Sequence, residues 1–336
     1  MLKLKTRWSG EMTWSRRCVL ATLCLAVISG FAAAEDFPAR PITFVVPFTP
    51  GAATDFLARM LGRELEEKFG KPVVVENRPG AGTNIGSNSV AKAAPDGHTL
   101  LMATSTPMAI NASLYKNLPY DPTADFVPLA VVAQSPFVLI AKPSLPVNSA
   151  KDLIALAKEK PGQLSFGSAG PGSPHHLFAE LLASMSGAKI NHVAYRGSVP
   201  ALNDVVAGHI DFMLCDFASA ASMIEAKRVK TLGVSTAARI PGFADIPPLN
   251  EAGLPGYDVA AWFMVVTTGK SPQPAVDRLH AELTRSLAKP EIKQQLLKLS
   301  LLPMQTKSVR EMQDFVKSEI ARWGKVVEQA GIAGSQ

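Results

Sequence analysis

The chain has 336 residues, 47% of them hydrophobic and 18% charged, with a formal net charge of +6. That length provides for about two domains of ordinary size, and the apolar content can fill their cores without a low-complexity or disordered stretch. Residues 1–34 hold five Lys/Arg and one Glu, so the totals of 34 basic and 28 acidic residues fall to 29 and 27 beyond them, a charge of +2. No basic stripe with interleaved aromatics remains, which excludes a nucleic-acid partner.

The N-terminus reads as a secretory signal peptide. Lys3, Lys5, Arg7, Arg16 and Arg17 precede an apolar run over 19–31 that is too short to span a bilayer, and Ala32-Ala33-Ala34 supplies small residues for cleavage near Ala34. The mature protein is expected to be exported and soluble, by the general secretory route or, from Ser15-Arg16-Arg17, the twin-arginine one. Cys18 and Cys24 leave with the leader. Cys215 then stands alone, without an internal disulfide, and reads as a packed thiol in a buried strand.

A strand is predicted over 42–48, then a helix over 54–69 with Leu57, Met60, Leu61, Leu65 and Phe69 on one face and Gly70 as its stop. A strand at 73–75, a helix at 84–94 and a strand at 98–103 complete a βαβαβ run, which calls for a parallel sheet with crossover helices. Strands at 127–133 and 137–141, separated by Gln134-Ser135-Pro136, mark a switch. A second alternating series follows, with helices over 149–160, 173–186, 198–207 and 218–227 and strands at 164–167, 190–194, 210–214 and 231–235. A last strand at 259–267 precedes helices over 274–287, 291–299 and 309–330, which have no strands of their own and are expected to lie back on the first sheet. The expected fold is α/β, with two lobes, each a mostly parallel sheet flanked by helices. Residues 35–136 plus 258–336 form lobe 1, residues 137–257 form lobe 2, and a ligand cleft lies between them.

In parallel α/β sheets, ligands bind at the carboxyl ends of strands. Two loops stand out there: Phe48-Thr49-Pro50-Gly51-Ala52-Ala53-Thr54-Asp55, and Ser168-Ala169-Gly170-Pro171-Gly172-Ser173 in the other lobe. Both are rich in small residues and hydroxyls, and both enter a helix, so backbone N–H groups and the positive helix end offer an anion site. Neither holds Lys or Arg, and no GxxxxGK[ST] lysine is present, so a carboxylate fits better than a phosphate. Read another way, Thr54 and Ser173 are ordinary N-caps. Two matching loops, one per lobe, favour a ligand held across a cleft.

Asp216 ends an apolar strand at the same edge and either accepts a hydrogen bond from a ligand or caps the next helix. Tyr195 in one lobe and Thr104-Ser105 in the other are placed to wall the cleft. The stretch Gly80-Ala81-Gly82 with Gly86 imitates a dinucleotide turn, but Asn77-Arg78-Pro79 separates it from its strand and the next strand ends without an acid. That loop either brings Thr83 and Asn84 to the cleft or makes a tight connection. His175-His176 has no further donor at metal-ligand spacing and reads as capping or packing, and Ser168 and Ser173 lack a GxSxG elbow. No catalytic residue, metal or cofactor is expected.

The stretches FVVPFTPGAATD, VVVENRPGAGTNIG, AKAAPDGHTLL, LPYDPTADFVPL, LIALAKEKPGQLSFGSAGPGSPHHL, HVAYRGSVPALNDVVAGHIDFM and LNEAGLPGYDVAAW occur in this order from about residue 36 onward. In order, spacing and length they resemble the periplasmic substrate-binding proteins of tripartite tricarboxylate transporters, the Bordetella uptake gene family. The resemblance implies a clamshell of the type II periplasmic-binding kind, non-enzymatic and by default monomeric. It closes on one small organic acid and docks on membrane permease subunits. It also implies that Phe48 to Asp55 and Ser168 to Ser173 hold a ligand carboxylate, partly through water, and that Asp216 reads the ligand's far end. Gly51-Ala52-Ala53 departs from the family's two adjacent glycines, which bears on which acid binds: a di- or tricarboxylate, an aromatic acid or an amino acid. A sensory receptor presenting the acid to a membrane kinase and an exported carboxylate-ester hydrolase are the alternatives.

Overall fold

A computed structural model describes residues 37–336, so the signal peptide lies outside the described residues. The first series comprises β1 (Ile42–Val46), α1 (Ala53–Phe69), β2 (Val73–Asn77), α2 (Asn84–Ala91) and β3 (Thr99–Thr104). β1 is buried nearly throughout, as an apolar strand covered on both faces has to be. α1 buries Leu57, Leu61 and Leu65, and the left-handed Gly70 ends it with its N–H returned to the Glu66 carbonyl. Beyond the segments that apolar spacing predicts, a π-helical turn (Thr106–Ile110) runs into a short α3 (Asn111–Leu114).

β4 (Phe126–Ser135) and β5 (Phe137–Ala141) follow, then α4 (Ala150–Glu159), β6 (Ser165–Ser168), α5 (Pro174–Ser186), β7 (Asn191–Ala194), α6 (Ser198–Ala207), β8 (Phe212–Asp216), α7 (Phe217–Glu225) and β9 (Lys230–Val234). The chain ends with β10 (Ala261–Thr268), α8 (Gln273–Ala288), α9 (Pro290–Lys298), a two-residue β11 (Leu302–Pro303) and α10 (Val309–Gln329).

Two sheets result, ordered β11-β4-β10-β3-β1-β2 and β7-β6-β8-β5-β9. They are mixed, not mostly parallel. β1 pairs in parallel with β2 and β3, but β10 lies antiparallel between β3 and β4. β6 pairs in parallel with β7 and β8, but β5 is antiparallel to β8 and β9. The reason is connectivity. β5 and β10 are the strands by which the chain enters each sheet from the other, and a strand that starts at the shared edge has to run away from it. The crossover strands run toward that edge.

Each sheet also has a strand, next to one edge, from which the chain crosses first to one side and then to the other: β1 between β2 and β3, and β6 between β7 and β8. Loops diverge at such a switch point and leave a crevice at the strands' carboxyl ends. The two crevices face each other across the crossing segments. Ser235, fully buried, ties those segments together: its Oγ accepts from the Phe137 N–H at 2.9 Å and donates to the Val259 carbonyl at 2.7 Å.

The terminal helices pack on the first sheet, α8 against β4 and α1 and α9 against α8. α10 lies on β4 but also reaches the second lobe, where Trp323 stacks on Phe178 with centroids 5.2 Å apart. Its anchor is Glu319, whose Oε2 accepts from the indole N–H of Trp262 on β10 at 2.8 Å and of Trp323 at 3.0 Å. Glu319→Leu would leave two buried indole donors unpaired, and is expected to lower the free energy of unfolding by about 2–4 kcal/mol. Urea denaturation checks this, and a loss below about 0.5 kcal/mol would show that the two indoles do not depend on Glu319.

A candidate ligand site between the lobes

A cavity of about 380 Å³ lies between the crevices and is walled from both lobes. From the first come Phe48, Ala52, Ala53 and Thr54 at the start of α1, with Thr104, Ser105 and Thr106 after β3. From the second come Phe137, Pro174, His175, Ser198 and Asp216. Ala261, Phe263, Leu299 and Leu301 complete an apolar wall that sequence motifs do not reveal. A second chamber of about 440 Å³ adjoins it through Phe48, Thr106, Pro174 and His175, and there Ala169, Gly172 and Ser173 take part. A larger groove of about 710 Å³ lies at α8, α9 and β11 and includes Lys293 and Met304, but no residue of the second sheet's lobe lines it.

The first loop divides. Thr49, Pro50, Gly51 and Asp55 line neither chamber. Asp55 turns back into its own loop and accepts from the Gly51 N–H at 3.1 Å, Asn77 Nδ2 at 3.0 Å and Arg59 Nε at 3.1 Å. Burial pushes its carboxyl up, but the Arg59, Gly51 and Asn77 bonds outweigh that and hold it below the ordinary range. Asp55 therefore fixes the loop, with Gly51 in a left-handed conformation at φ 86°. No side chain caps the N-terminus of α1. The buried hydroxyl oxygens of Thr54, Thr104 and Ser105 have no hydrogen-bond partner among the described residues.

The second loop is closed on itself. Ser168 Oγ lies 2.6 Å from His192 Nε2 and accepts from the Gly170 N–H at 3.0 Å, while Ser173 Oγ donates to the Gly170 carbonyl at 2.6 Å and caps α5. Gly172 N–H donates to His176 Nδ1 at 3.2 Å. At φ 73° against Leu114 of the first lobe, Gly172 leaves no room for a Cβ. Ser168 and Gly170 line neither chamber. Tyr195, also outside both, donates to Asp204 Oδ2 at 2.6 Å. Asn84 sits in a buried network, accepting from Asn111 Nδ2 at 2.7 Å and Tyr120 at 3.0 Å, and lines neither chamber.

Asp216 does both of the things its position allows. One oxygen caps α7 through the Ser219 N–H at 2.9 Å, and the other faces His175 Nε2 at 3.3 Å. Burial raises its carboxyl, but the bonds from His175 and Ser219 prevail and keep it ionised below the usual range. His175 is the residue that motif reading missed. Adjacent residues on a helix point about 100° apart, so one histidine of the pair faces the cleft while the other faces inward. His176 stacks on His192 at 3.8 Å, whereas His175 packs against Phe137 at 5.0 Å.

His175, Asp216 and Cys215 bring donor atoms within 4.8 Å of one another. Cys215, however, packs in the apolar cluster behind the sheet, where burial and the neighbouring Asp216 push its thiol well up. The Ser168–His192 contact also fails as a catalytic pair, because Ser168 is fully buried outside both chambers.

A wall of helix starts, hydroxyls and apolar side chains drawn from both α/β halves can hold a solute, which is the design of a two-lobed solute-binding receptor. A family model described as the tripartite tricarboxylate transporter family receptor matches residues 57–332. The chain belongs to that family of periplasmic receptors. A UPF0065 protein from the tcbD-tcbE intergenic region of Pseudomonas sp. (strain P51) is 40% identical over 325 residues, 96% of each chain. The R. palustris protein Rpa4515, solved with adipate, is 38% identical with a TM-score of 0.77, over 89% of this chain and 99% of that one. The periplasmic binding protein BugD is 32% identical with a TM-score of 0.73, over 88% and 99%.

The histidine stack gives the second loop an acid limit. Burial, reinforced by the charge of His176 and opposed by Glu180, pushes His192 down to about 4. The unfolded chain takes up that proton near 6.5 while the folded one resists until about 4. Stability present above pH 6.5 is therefore lost progressively as the pH falls toward 4. His192→Gln should flatten the pH dependence of the melting temperature across that window, and an unchanged slope would refute the assignment.

Proposed function

We propose that the protein captures a small carboxylate, a di- or tricarboxylate or an aromatic acid, in the interlobe cavity and delivers it to a tripartite tricarboxylate-type membrane permease. One observation carries the ligand class. Thr54, Thr104 and Ser105, whose buried hydroxyls have no partner among the described residues, line a cavity that the uncapped start of α1 also lines. Orphaned polar groups beside a free helix end call for an anion with acceptor oxygens. Adipate in a relative of 38% identity supports the same class.

In this reading residues 35–136 plus 258–336 move as one lobe and 137–257 as the other, about the segments clamped by Ser235. The leader is removed near Ala34. Phe48, Ala52, Ala53, Thr54, Thr104, Ser105 and Asp216 touch the ligand. Thr49, Pro50, Gly51, Asp55, Asn84, Ser168, Ala169, Gly170, Gly172, Ser173 and Tyr195 shape the loops that present it. Ligand contact with both lobes favours the closed form differentially, and that difference drives closure.

A thermal-shift screen of the chain from Glu35 onward, over aliphatic and aromatic mono- and dicarboxylates, tricarboxylates and amino acids, tests the reading. One acid class should raise the melting temperature progressively with concentration. Thr54→Val removes an orphan hydroxyl at constant shape. Ligand-free stability should stay within about 1 kcal/mol, while affinity for the acid found falls about tenfold. Unchanged affinity would remove Thr54 from the site, and silence toward every carboxylate would sink the reading.

A further inference from the structure

We propose that the groove at α8, α9 and β11, on the first lobe and apart from the ligand cavity, is a docking site for an extended acidic segment of a partner protein, which lies along residues 303–307 as an added strand.

The outer edge of the first sheet sets up the site. β11 is the edge strand there, paired with β4 through Leu302 and Pro303. The chain keeps to β4 a little further: the Met304 N–H donates to the Val132 carbonyl at 3.3 Å, and Thr306 Oγ1 donates to the Val131 carbonyl at 2.9 Å. Two residues along β4, His280 Nδ1 donates to the Leu129 carbonyl at 2.7 Å and covers the edge from α8. Segment 303–307 therefore turns its inner side to β4. The backbone N–H groups of Gln305, Thr306 and Lys307 enter no backbone hydrogen bond among the described residues. Unpaired donors on an edge segment are what an added strand pairs with.

The groove beside them holds about 710 Å³, with Leu287, Ala288 and Met304 in its apolar lining and Lys293, Gln305 and Thr306 in its polar one. The exposed Leu297 stands one turn beyond Lys293 on the same face of α9. Charge decides what fits here. Outside residues 1–34 the charges nearly balance, yet residues 289–310 carry Lys289, Lys293, Lys298, Lys307 and Arg310 against Glu291 alone. Lys289 pairs with Glu64, while the other four form no salt bridge among the described residues. The acids on the elements packed alongside are engaged, Glu282 by Arg285 and Glu311 by the Ser308 capping box.

An extended segment that alternates acidic and apolar side chains meets all three features. Its carbonyls pair with the free amides, its carboxylates face the lysines, and its apolar side chains cover Leu287, Leu297 and Met304. An inorganic anion would leave the apolar lining wet, and a flat membrane surface would not enter the groove. No residue of the second sheet's lobe lines it, so the segment docks equally well with the lobes apart or together.

Selection of random twelve-residue peptides, displayed on phage, against the protein from Glu35 onward tests this. Enriched sequences should carry net negative charge in an acidic–apolar alternation. A dye-labelled synthetic peptide of the most enriched sequence should bind more weakly as salt is added. It should bind at least tenfold more weakly to the doubly charge-reversed Lys293→Glu, Lys307→Glu variant, both of whose positions are exposed. Gln305→Pro deletes one backbone donor and should weaken binding several-fold, whereas Gln305→Ala should not. No enrichment of acidic peptides would overturn the inference, as would binding that survives the charge reversal or, in a variant that melts like the parent, Gln305→Pro. So would phosphatidylglycerol vesicles that bind where the peptide does not, which would give the groove to a membrane surface. A dimer in sedimentation that the charge reversal dissociates would give it to a second copy and overturn the inference too. The acid found in the thermal-shift screen should change peptide affinity less than twofold, and a larger effect would overturn the placement on one lobe. Failure here leaves the carboxylate reading standing, and silence in the carboxylate screen leaves the groove standing.

Discussion

An ionised acid taken from water into a cleft has to find its hydration replaced, and here no lysine or arginine among the described residues lines the cavity to do so. In the proposed reading the work falls to helix ends and hydroxyls, all of them weak alone and effective only when fixed in place. Much of the structure follows from that need for fixed geometry. The switch points of the two sheets put four strand ends and their helix starts at one crevice pair. The largely buried β1 and β6 hold those ends in place, and Ser235 ties the crossing segments together.

The two lobes meet this need differently. The first has an uncapped helix start and buried hydroxyls that no described residue satisfies. The second has spent its loop on itself. Ser168, Ser173, His176 and His192 consume the amides and hydroxyls of the glycine segment, which becomes a stiff wall against Leu114. Its chemistry toward the cleft comes instead from the helix starts at His175, Ser198 and Asp216.

Much of this was legible in the residues. Apolar spacing marks nearly every strand and helix, because periods of two and of 3.6 residues are direct consequences of burial. The π-helical turn and α3 escape, because Pro107 and the small polar residues around Asn111 give no amphipathic stripe. The antiparallel strands β5 and β10 look like any other strand, since direction in a sheet is a matter of connectivity. At the site, Asp216 and the first loop stand out by position. Asp55 and Tyr195 share the loops but turn toward Arg59 and Asp204, and a sequence does not show rotamers. His175 is obscured by its neighbour, since identical adjacent residues hide which one faces out.

One feature of the connectivity bears on how the chain assembles. β10 is the next-to-last strand in sequence, yet it lies between β3 and β4 in the first sheet. Until residues 261–268 have emerged, β3 and β4 each offer an unpaired apolar edge, while the second sheet, made wholly from strands β5 to β9, can already be complete. The later-made half of the protein is thus the first able to reach its final pairing, and the first half must wait on it. Those two edges stay open until the C-terminal quarter of the chain supplies the strand that closes them.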